Sequence, residues 1–205
     1  MRAALLCVTG ATLIALTGCS DTPAPAAAQT APVIAPGRPG EQARTLGPEE
    51  AATAAPAQAA NAADIRFMQD MIIHHRQALD MSVLAPSRAQ SEPLKRLAAR
   101  IQDVQGPEIT MMSTWLQQQS QPVPEHHAAH GNMPGMATPE QMAALKAASG
   151  TAFDELYIQL MTAHHQGAIK MAEEVLRKGS HIRVQELAED ISVSQSVEIA
   201  RMHDL

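Results

Sequence analysis

From residue 64 onward, apolar positions recur at the alternating three- and four-residue spacing of an α-helix with one buried face. Phe67, Met71, His74, Ala78 and Met81 form one such stripe. Leu97, Ile101, Gln105, Glu108, Met112 and Trp115 form a second. Ala85-Pro86 is expected to end the first helix, because the residue before a proline is pushed out of the α region. Ser91-Glu92-Pro93 reads as the start of the next helix. Gly106-Pro107 falls inside that helix, where the missing N–H should produce a kink. Further along, Thr138-Pro139 opens a short helix that stops before Gly150. Arg177-Lys178-Gly179 closes a long helix, and Ser180 opens the last one.

The stripes recur because the chain repeats itself. Residues 64–85 align with 154–175, and 94–115 with 184–205, both at a shift of 90 and with 14 of 44 positions identical. The positions between the two blocks share nothing, as suits a turn. The pattern predicts a duplicated αα-hairpin, with repeat 1 at 64–116 and repeat 2 at 154–205, joined by a crossover at 117–138. Four stripes on four helices are buried most economically in a four-helix bundle, so the expected fold class is all-α.

The N-terminal region reads differently. Arg2 followed by the apolar run Ala3–Leu16, too short to span a bilayer, has the form of an export signal at 1–18. Leu16-Thr17-Gly18-Cys19 resembles a lipobox, which marks Cys19 for lipidation. Ser20 in place of Asp favours, by the same resemblance, the periplasmic face of an outer membrane; secretion or a free periplasmic protein is the alternative. Residues 19–60, rich in Ala and Pro, are expected to be a disordered tether to the domain at 61–205. With Cys7 removed and Cys19 lipidated, the domain would have neither disulfide nor thiol chemistry. A net charge of −6 without a basic cluster argues against nucleic acid.

Polar residues on the buried stripes carry the candidate chemistry. His74, Gln105 and Glu108 occupy core-type positions, as do His164, Gln195 and Glu198. Folding each hairpin about its turn brings Gln105 opposite His74 and Glu108 near Met71, with His75 and His165 at the edge of the same face. Met71, Met81, Met161 and Met171 flank the group. Such residues can satisfy one another in a hydrogen-bonded network, or hold a metal that offsets the cost of buried charge. The crossover adds His126, His127, His130, Met133 and Met136 within a dozen residues, a second and looser candidate site. Imidazole suits several transition metals, while thioethers favour Cu(I).

Asp64, Phe67, Met71-Ile72-Ile73-His74-His75, Ala78 and Met81, then Ile101, Gln105, Glu108-Ile109, Met112 and Trp115-Leu116, resemble the DUF305 family, a domain of unknown function. The second copy follows through Asp154, Met161, His164-His165, Ala168, Met171, Gln195, Glu198 and Met202. The resemblance implies a ferritin-like four-helix bundle, export, and in some members periplasmic copper binding and copper tolerance. Met71 and Met161 stand where a di-iron Glu-x-x-His motif would need Glu, which argues against a ferritin-like oxidoreductase. A non-enzymatic copper protein is therefore expected. A metal-free lipoprotein that binds a protein partner is the main alternative, with an oxidoreductase behind it.

Overall fold

The structure is a computed structural model that describes residues 33–35, 42–47, 50, 59–125 and 133–205. The signal segment and Cys19 lie outside the described residues. The chain divides into two units, Met1–Ala55 and Pro56–Leu205. In the first, β1 (Val33–Ala35) pairs antiparallel with β2 (Arg44–Leu46), Ile34 standing opposite Thr45. The stretch expected to be a structureless tether thus contains a short strand pair, built where β-branched Val33, Ile34 and Thr45 interrupt the Ala/Pro composition.

The second unit is mostly helical. Its elements are α1 (Ala62–Ser82), the single turn α2 (Ala85–Arg88), α3 (Glu92–Gln118), α4 (Pro139–Ala147), α5 (Thr151–Lys178) and α6 (Ile182–His203). Among the described residues no helix is long and apolar enough to cross a membrane. Asn61 caps α1, its side chain accepting from the Ala63 and Asp64 amides while the Asp64 carboxylate accepts from the Asn61 amide. Ser91 caps α3 and Thr138 caps α4, as their sequence signals indicated.

Two boundaries differ from expectation. Pro86 does not end α1, which stops at Ser82; it sits in the first turn of α2, where its missing N–H has no partner to lose. The cap of α6 is His181, whose Nδ1 accepts from the Arg183 amide. Ser180 instead donates its hydroxyl to the Ala59 carbonyl and its amide to Asp64. Pro107 leaves α3 continuous and lies on its exposed side.

α1 packs on α3, α5 on α6, and α1 on α5. The C-terminal half of α1 and the N-terminal half of α5 share one apolar cluster, with Met81, Leu94, Leu97, Ile101, Phe153 and Met161 at its centre. The opposite halves share another, with Met68, Met71, Ile72, Met112, Val184 and Ile191. Each fully buried aliphatic or Met side chain stabilises the fold by about 1.5–3 kcal/mol. The two clusters stand at opposite ends of the helices, and the layer between them is polar.

The repeat shift of 90 reappears in how the helix pairs are tied together. Asp64, fully buried, accepts from the amides of Ser180 and His181 ahead of α6. Asp154 accepts from the amides of Gln90 and Ser91 ahead of α3. Each carboxylate thus closes the helix start of the other pair, where unpaired amides and the helix dipole favour negative charge.

Candidate metal centre

The polar layer is built from the middle of all four long helices. His74, His75, His164 and His165 are fully buried, and Gln105, Gln195 and Glu198 nearly so. His74 and His164, on antiparallel α1 and α5, face each other with ring centroids 3.8 Å apart and planes tilted by 37°. Burial lowers the pKa of His74 to about 3, with a smaller lowering from His75 and His165 that the Pro134 hydrogen bond opposes. Burial likewise drives His164 well below the ordinary histidine range, with further lowering from His74, His165 and His75. Both rings are neutral at physiological pH.

His75 and His165 were expected at the edge of the face. The structure instead buries both and gives each a carboxylate: His75 Nε2 lies 2.7 Å from Glu108 Oε2, and His165 Nε2 2.7 Å from Glu198 Oε2. Glu108 therefore partners His75 across α1 and α3, a contact the one-stripe reading missed because it counted only positions facing straight inward. Glu108 keeps 17% of its side chain exposed, against 5% for Glu198, which also has Arg100 at 4.0 Å.

Hydrogen-bond accounting isolates the layer. Elsewhere among the described residues Trp115 Nε1 also lacks a partner, but other buried polar groups are paired: Ser82 with Tyr157 at 2.8 Å, Gln77 with the Ala137 backbone, Asp64 with its amides. Within the layer, Nδ1 of His74, His75 and His165, both nitrogens of His164, both polar atoms of Gln105 and Oε1 of Gln195 have no partner. Each such atom costs about 1–3 kcal/mol. The Pro134 carbonyl can only accept, so His74 Nε2, 3.0 Å away, carries the ring proton and Nδ1 is a bare lone pair. Nε2 of His75 and of His165 is likewise engaged by an oxygen, from Glu108 and Glu198, while Nδ1 of each has no partner, the carboxylate–imidazole pattern that orients the other nitrogen toward a metal.

The thioethers lie on both sides of this layer. Met81 and Met161 are fully buried in the cluster with Met202, and Met71 in the cluster with Met112, against which the half-buried Met171 packs. Among the described residues no three His, Cys, Asp or Glu side chains converge on a common point. Those residues thus form no tetrahedral zinc cage of the usual ligands. Neutral imidazoles with free nitrogens, next to thioethers, fit a soft ion of low coordination number.

The crossover departs from expectation. His126, His127 and His130 lie outside the described residues. Met133 and Met136, expected in a loose loop, belong to a strap pinned against α1 and α5. Gln77 donates to the Ala137 carbonyl at 2.9 Å and accepts from the Ala137 amide at 2.7 Å. Gly135, at φ +77°, lies so close to Gly167 and the Ala163 carbonyl that neither glycine could carry a Cβ. The described end of the candidate loop, from Met133 to Met136, therefore adjoins the buried histidines, Pro134 accepting from His74. The sequence held a signal for this: at the shift of 90, Gln77 stands where the second copy has Gly167.

No curated protein matches the chain. The DUF305 family, a domain of unknown function, matches residues 64–205. Among solved structures, a DUF305 fragment from Deinococcus radiodurans has a TM-score of 0.65 at 32% identity, covering 71% of this chain and 95% of its own. A DUF305 protein from Streptomyces coelicolor, named as secreted, has a TM-score of 0.64 at 34% identity, over 69% and 90%. CopM in its Cu(I)-bound form has a TM-score of 0.59 at 34% identity, over 69% and 93%. CopM has also been solved with Cu(II) and with Ag.

Proposed function

The chain belongs to the DUF305 family, and we propose that it is an exported copper-binding protein serving copper tolerance, not an enzyme. Copper is its cargo. The observation that carries this reading is the layer of buried imidazoles with unpartnered nitrogens between two methionine-containing apolar clusters. His74, His75, His164 and His165 would supply nitrogen, and Met71, Met81, Met161 and Met171 thioether. Neutral ligands bind Cu(I) without adding negative charge to an apolar interior, and imidazole leaves other transition metals as competitors. The relatives solved with Cu(I), Cu(II) and Ag support it. Glu108 and Glu198 are each held by a histidine, which leaves no pair of carboxylates to bridge two irons and disfavours the oxidoreductase alternative.

The equivalence of Asp64 with Asp154, and of the His75–Glu108 contact with His165–Glu198, supports a ferritin-like four-helix bundle that arose by duplication of one hairpin. Lipidation at Cys19 would hold the domain at the periplasmic face of the outer membrane.

The test is competition for Cu(I) against a chromophoric chelator. Replacing His74 and His164 together by Gln should weaken binding at least about tenfold, equivalent to roughly 1.4 kcal/mol, while the circular dichroism spectrum stays helical. A metal-free structural network predicts altered stability and no chelator competition from the wild-type chain.

A further inference from the structure

Beside the strap, residues of α1 and α5 line a groove of about 590 Å³. Its wall includes the sulfur-bearing side chains of Met133, from the strap, and Met171, from α5, against apolar Phe67, Pro134 and Val175. The charged residues at its rim neutralise one another. Arg66 Nε pairs with Asp70 at 3.4 Å, and Lys178 Nζ with Glu174 at 2.8 Å. A hard cation would have to break those pairs to find a carboxylate, whereas a soft one meets thioethers.

One residue links this groove to the buried layer. Pro134 lines the groove and its carbonyl accepts the His74 Nε2 proton. The link is one-sided. His164, the counterpart of His74, has no such partner on either nitrogen, and Gly167, the counterpart of Gln77, provides the space in which Pro134 and Gly135 sit. The strap thus joins His74, and not His164, to a methionine-lined surface.

We propose that this groove is the loading port of the buried histidine layer: Met133 and Met171 capture a soft monovalent cation, Cu(I) or Ag(I), and pass it to His74. This rests on the copper reading above. The transfer is a ligand exchange without change of oxidation state: a thioether–cation bond breaks and an imidazole Nδ1–cation bond forms. Because Nδ1 is already bare and Nε2 keeps its proton on the Pro134 carbonyl, no proton has to leave.

The experiment uses the full chain and Ag(I) or Cu(I) alone, delivered from a chromophoric chelator in a stopped-flow mixer, with bound ions counted at the end. Three proteins are compared: wild type, Met133→Leu/Met171→Leu, and Met111→Leu, which alters an exposed methionine outside the groove. Leucine preserves the apolar volume, and Met133→Leu alone serves if the double variant loses its helical spectrum. The double variant should load roughly tenfold more slowly, within the range over which association rates vary among variants of one site, and should bind one ion fewer. Met111→Leu should match wild type. Wild-type loading and stoichiometry in a folded groove variant overturn the port while leaving the copper reading intact. A wild-type chain that takes up neither ion overturns both.

Discussion

His74 and His164 are the same residue type at equivalent positions, yet their surroundings differ by one carbonyl. Pro134 gives His74 a fixed proton position, while His164 has two free nitrogens. Both are held neutral by burial, which sets how the metal-free protein responds to pH. The folded-state pKa of His74, about 3, lies below its ordinary value of 6.5, and that of His164 lies well below it too. Between the two values the unfolded chain binds protons that the folded chain refuses, so stability rises with pH in that window. The contribution is complete above about pH 6.5 and is lost as pH falls toward 3. Each histidine adds a slope of up to about 1.4 kcal/mol per pH unit. Urea midpoints measured from pH 7 to pH 4 should fall steeply for wild type and less so for His74→Gln. Parallel curves for the two proteins would show that burial of this ring does not govern acid sensitivity.

At the scale of elements, the joints between helix pairs add buried carboxylate–amide contacts to the shared apolar clusters. Asp64 accepts from the Asn61, Ser180 and His181 amides; Asp154 accepts from two amides. Hydrogen bonds to a charged group contribute about 1.5–3 kcal/mol each when their loss strands a partner. Asp64→Asn should therefore lower unfolding free energy by about 2–3 kcal/mol, more than Asp154→Asn, and equal losses in chemical denaturation would contradict the ranking. The strap supplies a second prediction at this scale. Gln77→Leu removes both hydrogen bonds to Ala137 and leaves that amide and carbonyl unpaired. Amide exchange at Ala137 should accelerate by at least about tenfold, the equivalent of 1.4 kcal/mol of lost local protection, while exchange in α3 and α6 stays unchanged. Uniform acceleration across the domain would mean that Gln77 supports the global fold and not the strap.

For the whole molecule, the question is how an acidic helical domain with no membrane-crossing helix among its described residues reaches and stays at its place of work. In the proposal above, Leu16-Thr17-Gly18-Cys19 would provide a covalent lipid as the anchor. A single acyl chain binds a membrane only marginally, whereas several chains hold it stably. Cys19→Ala should then move the protein from the membrane fraction to the soluble fraction with its copper affinity unchanged. A soluble wild-type protein would remove the anchor from the proposal.

Helices α1, α3, α5 and α6 were legible from periodicity alone, because a 3.6-residue period is a local property of the chain. The caps at Ser91 and Thr138 were legible for the same reason, while the Pro86 and Ser180 boundaries were not. There a distant partner or a neighbouring turn decided the outcome: Ser180 is drawn to Asp64 and Ala59, more than a hundred residues away. The repeat at a shift of 90 pointed to His74, His164, Gln105 and Gln195 as a buried layer, since an identity retained on a core stripe survives translation into three dimensions. Periodicity placed His75 and His165 at an edge, and only packing showed that α3 and α6 close over them and bring Glu108 and Glu198 within 2.7 Å. The strap was also beyond the sequence. Its seat needs Gln77 on one helix and Gly167 on another, and nothing local to residues 133–137 says that a polar clamp and a missing Cβ will meet there. Sequence by itself determined which residue types lie on which helical face, a matter of local geometry. Tertiary structure decided which lone pairs remain free and which surface leads to them, because both depend on groups brought together only by the packed fold.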